Sequence, residues 1–409
     1  MKHLHYGWVM VFSAVGILAT HALTFYSFGI FLRPITEQFH WDRGALSAAI
    51  SIGMLISGPF SILAGRLSDR YGPRLLVTAS GIITGVAFIF MSQISALWHV
   101  YLIYGVAVAI GGGGCVVPVT TTILRWFKQK RGVALGLTWT GIGLGGIIAP
   151  MLSQWLISDY DWPTAYIVLG LITLVVVIPL AQTLHGSPQQ MGLQPYGEMS
   201  IRQDEEEPVV TESLSIKQAI RTGRFWIFGL VMLCFIFIIQ VMMAHIAPHA
   251  VDMGISSALA ASIVSIWAAT SLIGRNLAGF VSDRIGPTPS LIFHLALMVL
   301  ALAWLLFARE VWAFYVFAVV YGIAYGGIVP LQTLLTGELF GLRFLGAVMA
   351  SLMVVGSVGG ALGAPLAGTI FDITGSYQPA FIICLIMAIL AIILSVLLLR
   401  QQKRRQATP

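Results

Sequence analysis

The chain has 409 residues, of which 58% are hydrophobic and only 9% charged, with a net charge of +6. A soluble domain carries about 25% charged residues, so this composition excludes a water-exposed globular surface. The positive charge does not point to a nucleic-acid partner either, because of where the basic residues fall.

Taken in chain order, apolar stretches long enough to cross about 30 Å of hydrocarbon occupy residues 6–32, 44–64, 75–91, 98–124, 132–158, 164–184, 225–250, 258–282, 289–308, 312–336, 344–371 and 379–399. The spacing predicts an all-α polytopic membrane protein with twelve transmembrane helices. Arg33, Arg43 and Arg309 fall in loops on one side of this arrangement and Arg275 falls inside a span. All the other Lys and Arg of the 22 fall on the opposite side, with both termini. Cytoplasmic loops carry the excess of Lys and Arg, so an N-in/C-in topology is expected and the charge records orientation. Cys115, Cys234 and Cys384 lie within spans without a CxxC pair and read as packing residues. The first apolar run is of spanning length rather than a cleavable leader. The single asparagine, Asn276, is followed by Leu-Ala and forms no glycosylation sequon. A cell membrane, inner or plasma, is the expected location.

Shifting the sequence by about 214 positions brings motifs into register. "GRLSDRYGP" (65–73) and "GFVSDRIGP" (279–287) share Gly, Ser-Asp-Arg and Gly-Pro. "GIGLGGIIAP" (141–150) and "GSVGGALGAP" (356–365) share two glycines and the proline. The expected organisation is a six-helix half at 1–184, a cytoplasmic linker at 185–224, a second six-helix half at 225–400 and a basic tail at 401–409. The linker holds an acidic cluster, Asp204 to Glu207, read as a solvated run, and a short amphipathic stretch, "SIKQAIRTGRF". Parallel repeats of six spans place a substrate site near the bilayer midplane at the repeat interface.

Two motifs look like chemistry and are not. "GIGLGG" (141–146) satisfies GxGxxG, but no strand precedes it and no acidic residue follows on a second strand. Its glycines suit close helix packing in a membrane. No Ser/His/Asp or Cys/His set lies in a soluble pocket, so neither an enzyme nor a bound cofactor or metal is expected.

On the repeated "GRLSDRYGPR" motif between spans two and three, the chain resembles the major facilitator superfamily over essentially its whole length. In that family the acidic residue of this loop and the adjoining arginine belong to a gate network. The resemblance therefore implies gating roles for Asp69 and Arg70, and for their counterparts Asp283 and Arg284. A carboxylate at a helix N-terminus contributes about 0.3 to 1 kcal/mol, small enough to break during a cycle. The bland reading of each Asp-Arg pair is a simple cytoplasmic anchor. Span one opens "YGWVMVF" and ends "FYSFGIFL", and span five is entered by "RWFKQKRGVALGLTWTG". Both resemble the monocarboxylate transporters and their bacterial oxalate/formate-antiporter relatives.

Arg275 is the charge that composition does not explain. An arginine at mid-bilayer costs about 2.5 to 3.5 kcal/mol on insertion scales. All sixteen acidic residues fall in loops or near span ends, so a substrate anion is the expected counter-ion, met by the fork a guanidinium offers a carboxylate. The competing reading is snorkelling toward the helix end, over about 10 to 12 Å at 1.5 Å per residue. The resemblance agrees with the anion site, since this family carries its substrate-binding arginine at the matching point of span eight. Asn276 stands beside it, turned about 100° around the helix. By family alignment Leu23, Tyr26 and Tyr325 would enclose the apolar end of the substrate. As alternatives, Leu23 and Tyr325 pack the core and Tyr26 anchors an interface.

Relatives that carry oxalate place a lysine in span eleven, where this chain has no basic residue. One fixed cation suits one carboxylate, so a small monoanion such as lactate, pyruvate or acetate is preferred. Vertebrate members use a lysine in span one and an aspartate one turn before the arginine, where this chain has Tyr26 and Ser271. Histidine titrates near pH 6.5, which makes His245, beside Pro248, the first proton-coupling and substrate-site candidate and His21 the second. A satisfied structural histidine is the alternative for His245, and His294 reads as packing. The expected partners are a small monocarboxylate, a proton and the lipid bilayer, with a monomer as the working unit. An organic-anion exchanger without proton symport is the alternative function, and a non-transporting membrane sensor stands behind it.

Overall fold

The computed structural model describes residues 5–197, 214–341 and 344–406, apart from the side chains of Ile62, Asp69, Arg131 and residues 403–406. The acidic cluster at 204–207 and the end of the basic tail lie outside the described residues. Among the described residues, twelve helical segments are long and apolar enough to cross a membrane. The chain packs as two units, one of residues 1–41 and 52–206, the other of residues 42–51 and 207–409.

In the first unit, span one is α1 (Tyr6–Tyr26) followed, after a break at Ser27, by α2 (Phe28–Phe39). The span thus runs seven residues beyond its predicted end, with Pro34 inside α2. Then come α3 (Arg43–Tyr71), α4 (Pro73–Met91), α5 (Leu97–Val100), a π-helical segment at Tyr101–Val108, α6 (Ala109–Trp126), α7 (Arg131–Asp159) and α8 (Trp162–Ala181). Residues 42–51, at the start of α3, belong with the second unit. α1 packs against α7 and α8, and α4 against α6 and α8. The core of the first unit sets Met10, Ala14 and Ile17 of α1 against Val119 and Trp126 of α6.

In the second unit, the short α9 (Ile216–Ile220) falls within the stretch expected to be amphipathic. It is followed by α10 (Gly223–Asp252), α11 (Ser257–Ile285), α12 (Pro287–Leu305), α13 (Val311–Phe340), α14 (Leu345–Thr374) and α15 (Gln378–Gln406). α10 packs on α14 and α15, α11 on α13, and α12 on α13 and α15. The repeat appears in these pairings. Gly141 and Gly145 of α7 meet the backbone of Val15 and Ala19 of α1, while Gly359 and Gly363 of α14 meet that of Leu233 and Phe237 of α10. Helices in lipid gain nothing from excluding water between them, so small residues that admit close backbone approach hold the pairs together.

The repeated motif has a local structural reason as well. Gly72 and Gly286 end α3 and α11 at φ 85° and 89° with ψ 154° and 161°, a region only glycine occupies freely. Each donates its N–H to the carbonyl four residues back, Ser68 and Ser282, at 2.9 and 2.8 Å. The following proline, Pro73 or Pro287, opens the next helix, where its missing N–H costs nothing. The Gly-Pro half of "SDRYGP" and "SDRIGP" is therefore a helix-to-helix turn.

Candidate substrate and coupling sites

Arg275 lies on α11, half-buried and ten residues before its C-terminal Ile285. That is about 15 Å of helix at 1.5 Å per residue, longer than the sequence alone suggests because α11 continues past the predicted end at 282. The extra turn weakens the snorkelling alternative. The preceding residue fixes the helix face. A Cβ on Gly274 would strike the carbonyl of Ile323 and the backbone of Gly327 on α13, and one on Gly326 would strike the backbone of Ser271. Thr270 Oγ1 also donates across to Ala318 O at 3.2 Å. This backbone-to-backbone seam holds α11 in one rotation against α13, and with it the direction in which Arg275 leaves the helix.

Tyr325 stands on α13 in that seam, 9% exposed. Its ring stacks on Phe235 at 6.2 Å and meets Trp267 edge-on at 5.5 Å. Asn276 is exposed, and its amide donates to Leu272 O at 2.8 Å within its own helix. That bond occupies one of the amide's two N–H donors.

In the first unit, Leu23 and Tyr26 are buried in the last turns of α1, 4% and 2% exposed. Tyr26 is thus inside the unit, which disfavours an interfacial anchor. His21 lines a small cavity with Thr20, Ser80, Thr84, Cys115 and Thr173, its ring edge-on to Phe25 at 5.0 Å. The space suits about one water molecule.

His245 of α10 is fully buried with both ring nitrogens engaged: Nδ1 lies 3.1 Å from Tyr377 Oη and Nε2 2.7 Å from Ala364 O of α14. His294 Nδ1 lies 2.8 Å from Ser290 O in a buried position against Gly327. Arg70 and Arg284 are both exposed, their guanidinium carbons 5.2 Å from the Tyr71 ring centroid and 4.0 Å from that of Phe280. Asp283 is exposed, and Asp69 falls in α3 with its side chain outside the described residues. Among the described residues no cluster of His, Cys, Asp and Glu is placed to hold a metal ion.

The second unit also contains a charge network that the sequence does not announce. Arg43 makes a bidentate pair with Asp252, Nη1 to Oδ2 at 2.6 Å and Nη2 to Oδ1 at 3.0 Å. Its Nη1 also donates to Tyr377 Oη at 2.9 Å, and its guanidinium carbon sits 4.0 Å from the Phe371 ring centroid. Asp372 accepts from the backbone N–H of Arg43 and of Gly44, at 3.0 and 2.7 Å. A carboxylate from α14 thereby caps the start of α3, as the orphan N–H groups and positive end of a helix favour. One usable signal is present in the sequence: alternation of the predicted spans puts Arg43, Asp252 and Asp372 at span ends on the same side.

Two similar units of apolar helices, with a guanidinium deep along one span, define a polytopic membrane transporter. The chain belongs to the Major Facilitator Superfamily, whose model matches residues 14–309 and 246–409. It is 28% identical over 391 residues to monocarboxylate transporter 13 of Rattus norvegicus, covering 92% of this chain and 85% of that protein. Monocarboxylate transporter 11 of Homo sapiens is also 28% identical, over 92% of this chain and 80% of its own length. An uncharacterised MFS-type transporter of Bacillus subtilis is 26% identical over 93% and 92%. In fold, the chain is similar to a bacterial homologue of the lysosomal transporter Spinster, with TM-score 0.76, 15% identity and 98% of each chain covered. The nucleoside transporter NupG gives TM-score 0.72 at 12% identity, over 97% of this chain and 99% of that one.

Proposed function

We propose that this transporter carries small monocarboxylates such as lactate or pyruvate through a cell membrane, N-in/C-in, by alternating access coupled to a proton. The observation that carries this reading is Arg275, half-buried about 15 Å from the helix end and fixed in direction by the Gly274 seam. The names of the relatives support the substrate class. A guanidinium offers a carboxylate two parallel N–H donors, and charged side chains within spans line substrate and ion pathways. Tyr325, Leu23 and Tyr26 supply apolar and aromatic surface for the rest of a small acid, with Asn276 as a further donor. Asp69, Arg70, Asp283 and Arg284 form the gate pairs at the repeated turns. His245, then His21, are the proton-acceptor candidates, and the monomer is the working unit.

Organic-anion exchange without proton symport is the second reading. It is favoured by the burial of His245 and the engagement of both its ring nitrogens. Uptake of labelled L-lactate into proteoliposomes under an inward proton gradient separates the two. Gradient-driven accumulation that Arg275→Ala abolishes supports symport. Counterflow with no response to the gradient moves the function to exchange, and normal uptake by a folded Arg275→Ala protein overturns the anchor.

A further inference from the structure

The hydrogen bonds around His245 fix the direction of every proton in the chain that reaches it. Arg43 can only donate, so the 2.9 Å contact from its Nη1 makes Tyr377 Oη an acceptor there. The phenol has one proton, and its other close partner is His245 Nδ1 at 3.1 Å. The carbonyl of Ala364 can only accept, so His245 Nε2, 2.7 Å away, must carry the N–H. Both ends therefore demand the same form: a neutral imidazole, protonated at Nε2, taking the Tyr377 O–H at Nδ1.

We propose that the Arg43–Tyr377 contact interlocks with proton uptake at His245, so that Nδ1 receives a proton only when Tyr377 is released. The step balances simply. A proton from water forms the Nδ1–H bond, no bond to Nε2 breaks, and the ring gains one positive charge. With the network intact, the new N–H would face a phenol oxygen already accepting from Arg43. The phenol proton would be driven off its acceptor into a buried site, and an unmade buried hydrogen bond is costly. With Arg43 withdrawn, the phenol turns its O–H into the space the guanidinium leaves beside the Asp252 carboxylate and accepts from Nδ1–H, so the ring is satisfied at both nitrogens.

The charged and titratable groups facing this site are few. They are Arg43 from α3, Asp372 from α14, His249 and Asp252 from α10 itself, Tyr377 from the α14–α15 turn, and Arg309, which reaches His249 from before α13. Tyr377 is thus a positioning residue, acting on proton traffic through His245. Burial pushes its phenol up from the ordinary value, with Arg43 opposing, so it stays an O–H donor at neutral pH.

This inference rests on the proton-coupled reading, and its test is independent of transport. Nitrogen NMR of 15N-histidine-labelled full-length protein in nanodiscs, with His245 assigned by the loss of its signal in His245→Gln, reports both tautomer and charge. The wild type should show the Nε2–H tautomer unchanged across about pH 5 to 8, the range in which histidine ordinarily titrates. Arg43→Met, which removes the donor to the phenol and keeps Tyr377 as an acceptor, should titrate within that range, whereas Tyr377→Phe, which leaves a protonated Nδ1 without an acceptor, should stay neutral. A wild-type Nδ1–H tautomer, or a wild-type ring that titrates normally, overturns the proposal even if no variant folds. So does an Arg43→Met ring that stays neutral throughout, or a Tyr377→Phe ring that titrates normally. Failure of the monocarboxylate reading would show differently, as absent lactate flux with this tautomer intact.

Discussion

Asp372 accepts the backbone N–H groups of both Arg43 and Gly44, so an α14 carboxylate caps a helix that begins far earlier in the chain, at separations of 329 and 328 residues. The same turn of α3 presents Arg43 to Asp252 and Tyr377. One short stretch, 42–51, is thereby tied to the second unit by a cap, an ion pair and a cation–π contact.

Removing that tie should lower stability. The Arg43 and Asp252 side chains are 12% and 19% exposed, between the fully buried and the surface case, so Arg43→Ala should cost about 1 to 3 kcal/mol. Arg43→Lys should cost less but lose the bidentate fork. Thermal unfolding in detergent, followed by tryptophan fluorescence, should rank wild type above the Lys variant and the Lys variant above the Ala variant. Equal stability of all three would show that the pair contributes nothing.

Arg275→Lys should keep the charge and lose two-pronged recognition. Charge-assisted hydrogen bonds are worth about 1.5 to 3 kcal/mol, so KM for lactate should rise roughly ten- to a hundredfold with expression unchanged. Initial uptake rates over a lactate series measure it, and an unchanged KM would show that the fork plays no part in binding.

The α11–α13 seam should control the same site at one remove. A methyl at Gly274 meets the Ile323 carbonyl, and overpacking of this kind costs about 1 to 3 kcal/mol. Gly274→Ala is expected to reduce lactate affinity as well as stability, because Arg275 rotates with its helix. Gly279→Ala, where added atoms meet nothing within contact range, is the control. Loss in the control alone would refute the seam.

Acid should weaken α8 through its cap. Hydrogen bonding from the Thr164 side chain, and from the Thr164 N–H at 2.7 Å, holds the Asp161 carboxyl below the ordinary value. A lowered folded value means the contribution is full above the unfolded value of about 3.9 and is lost as pH falls through the folded one. The group is exposed, so the effect is small. Asp161→Asn still caps the helix but should flatten the stability curve below about pH 4, read by melting temperature against pH. An identical acid limb in both proteins would discount the cap.

The spans were legible because a helix in hydrocarbon must satisfy its own backbone hydrogen bonds and present apolar side chains, both properties of local sequence. Helix ends were legible where turn chemistry is local, as at Gly72-Pro73 and Gly286-Pro287. They were missed where it is not: α2 runs to Phe39 through Pro34, and α11 adds a turn beyond 282. The oddity of Arg275 was legible too, since a charge in an apolar run stands out by composition alone.

What the sequence by itself determined is therefore the membrane class, the twofold repeat and the deep cation at Arg275. Only the tertiary structure decided which way Arg275 is held, and that His245 is occupied at both nitrogens by residues 119 and 132 positions away. It alone brought Arg43, Asp252, Asp372 and Tyr377 together. The physical reason is that hydropathy is summed along a segment, whereas hydrogen-bond direction and ion pairing depend on distances of about 3 Å that only the packed chain sets.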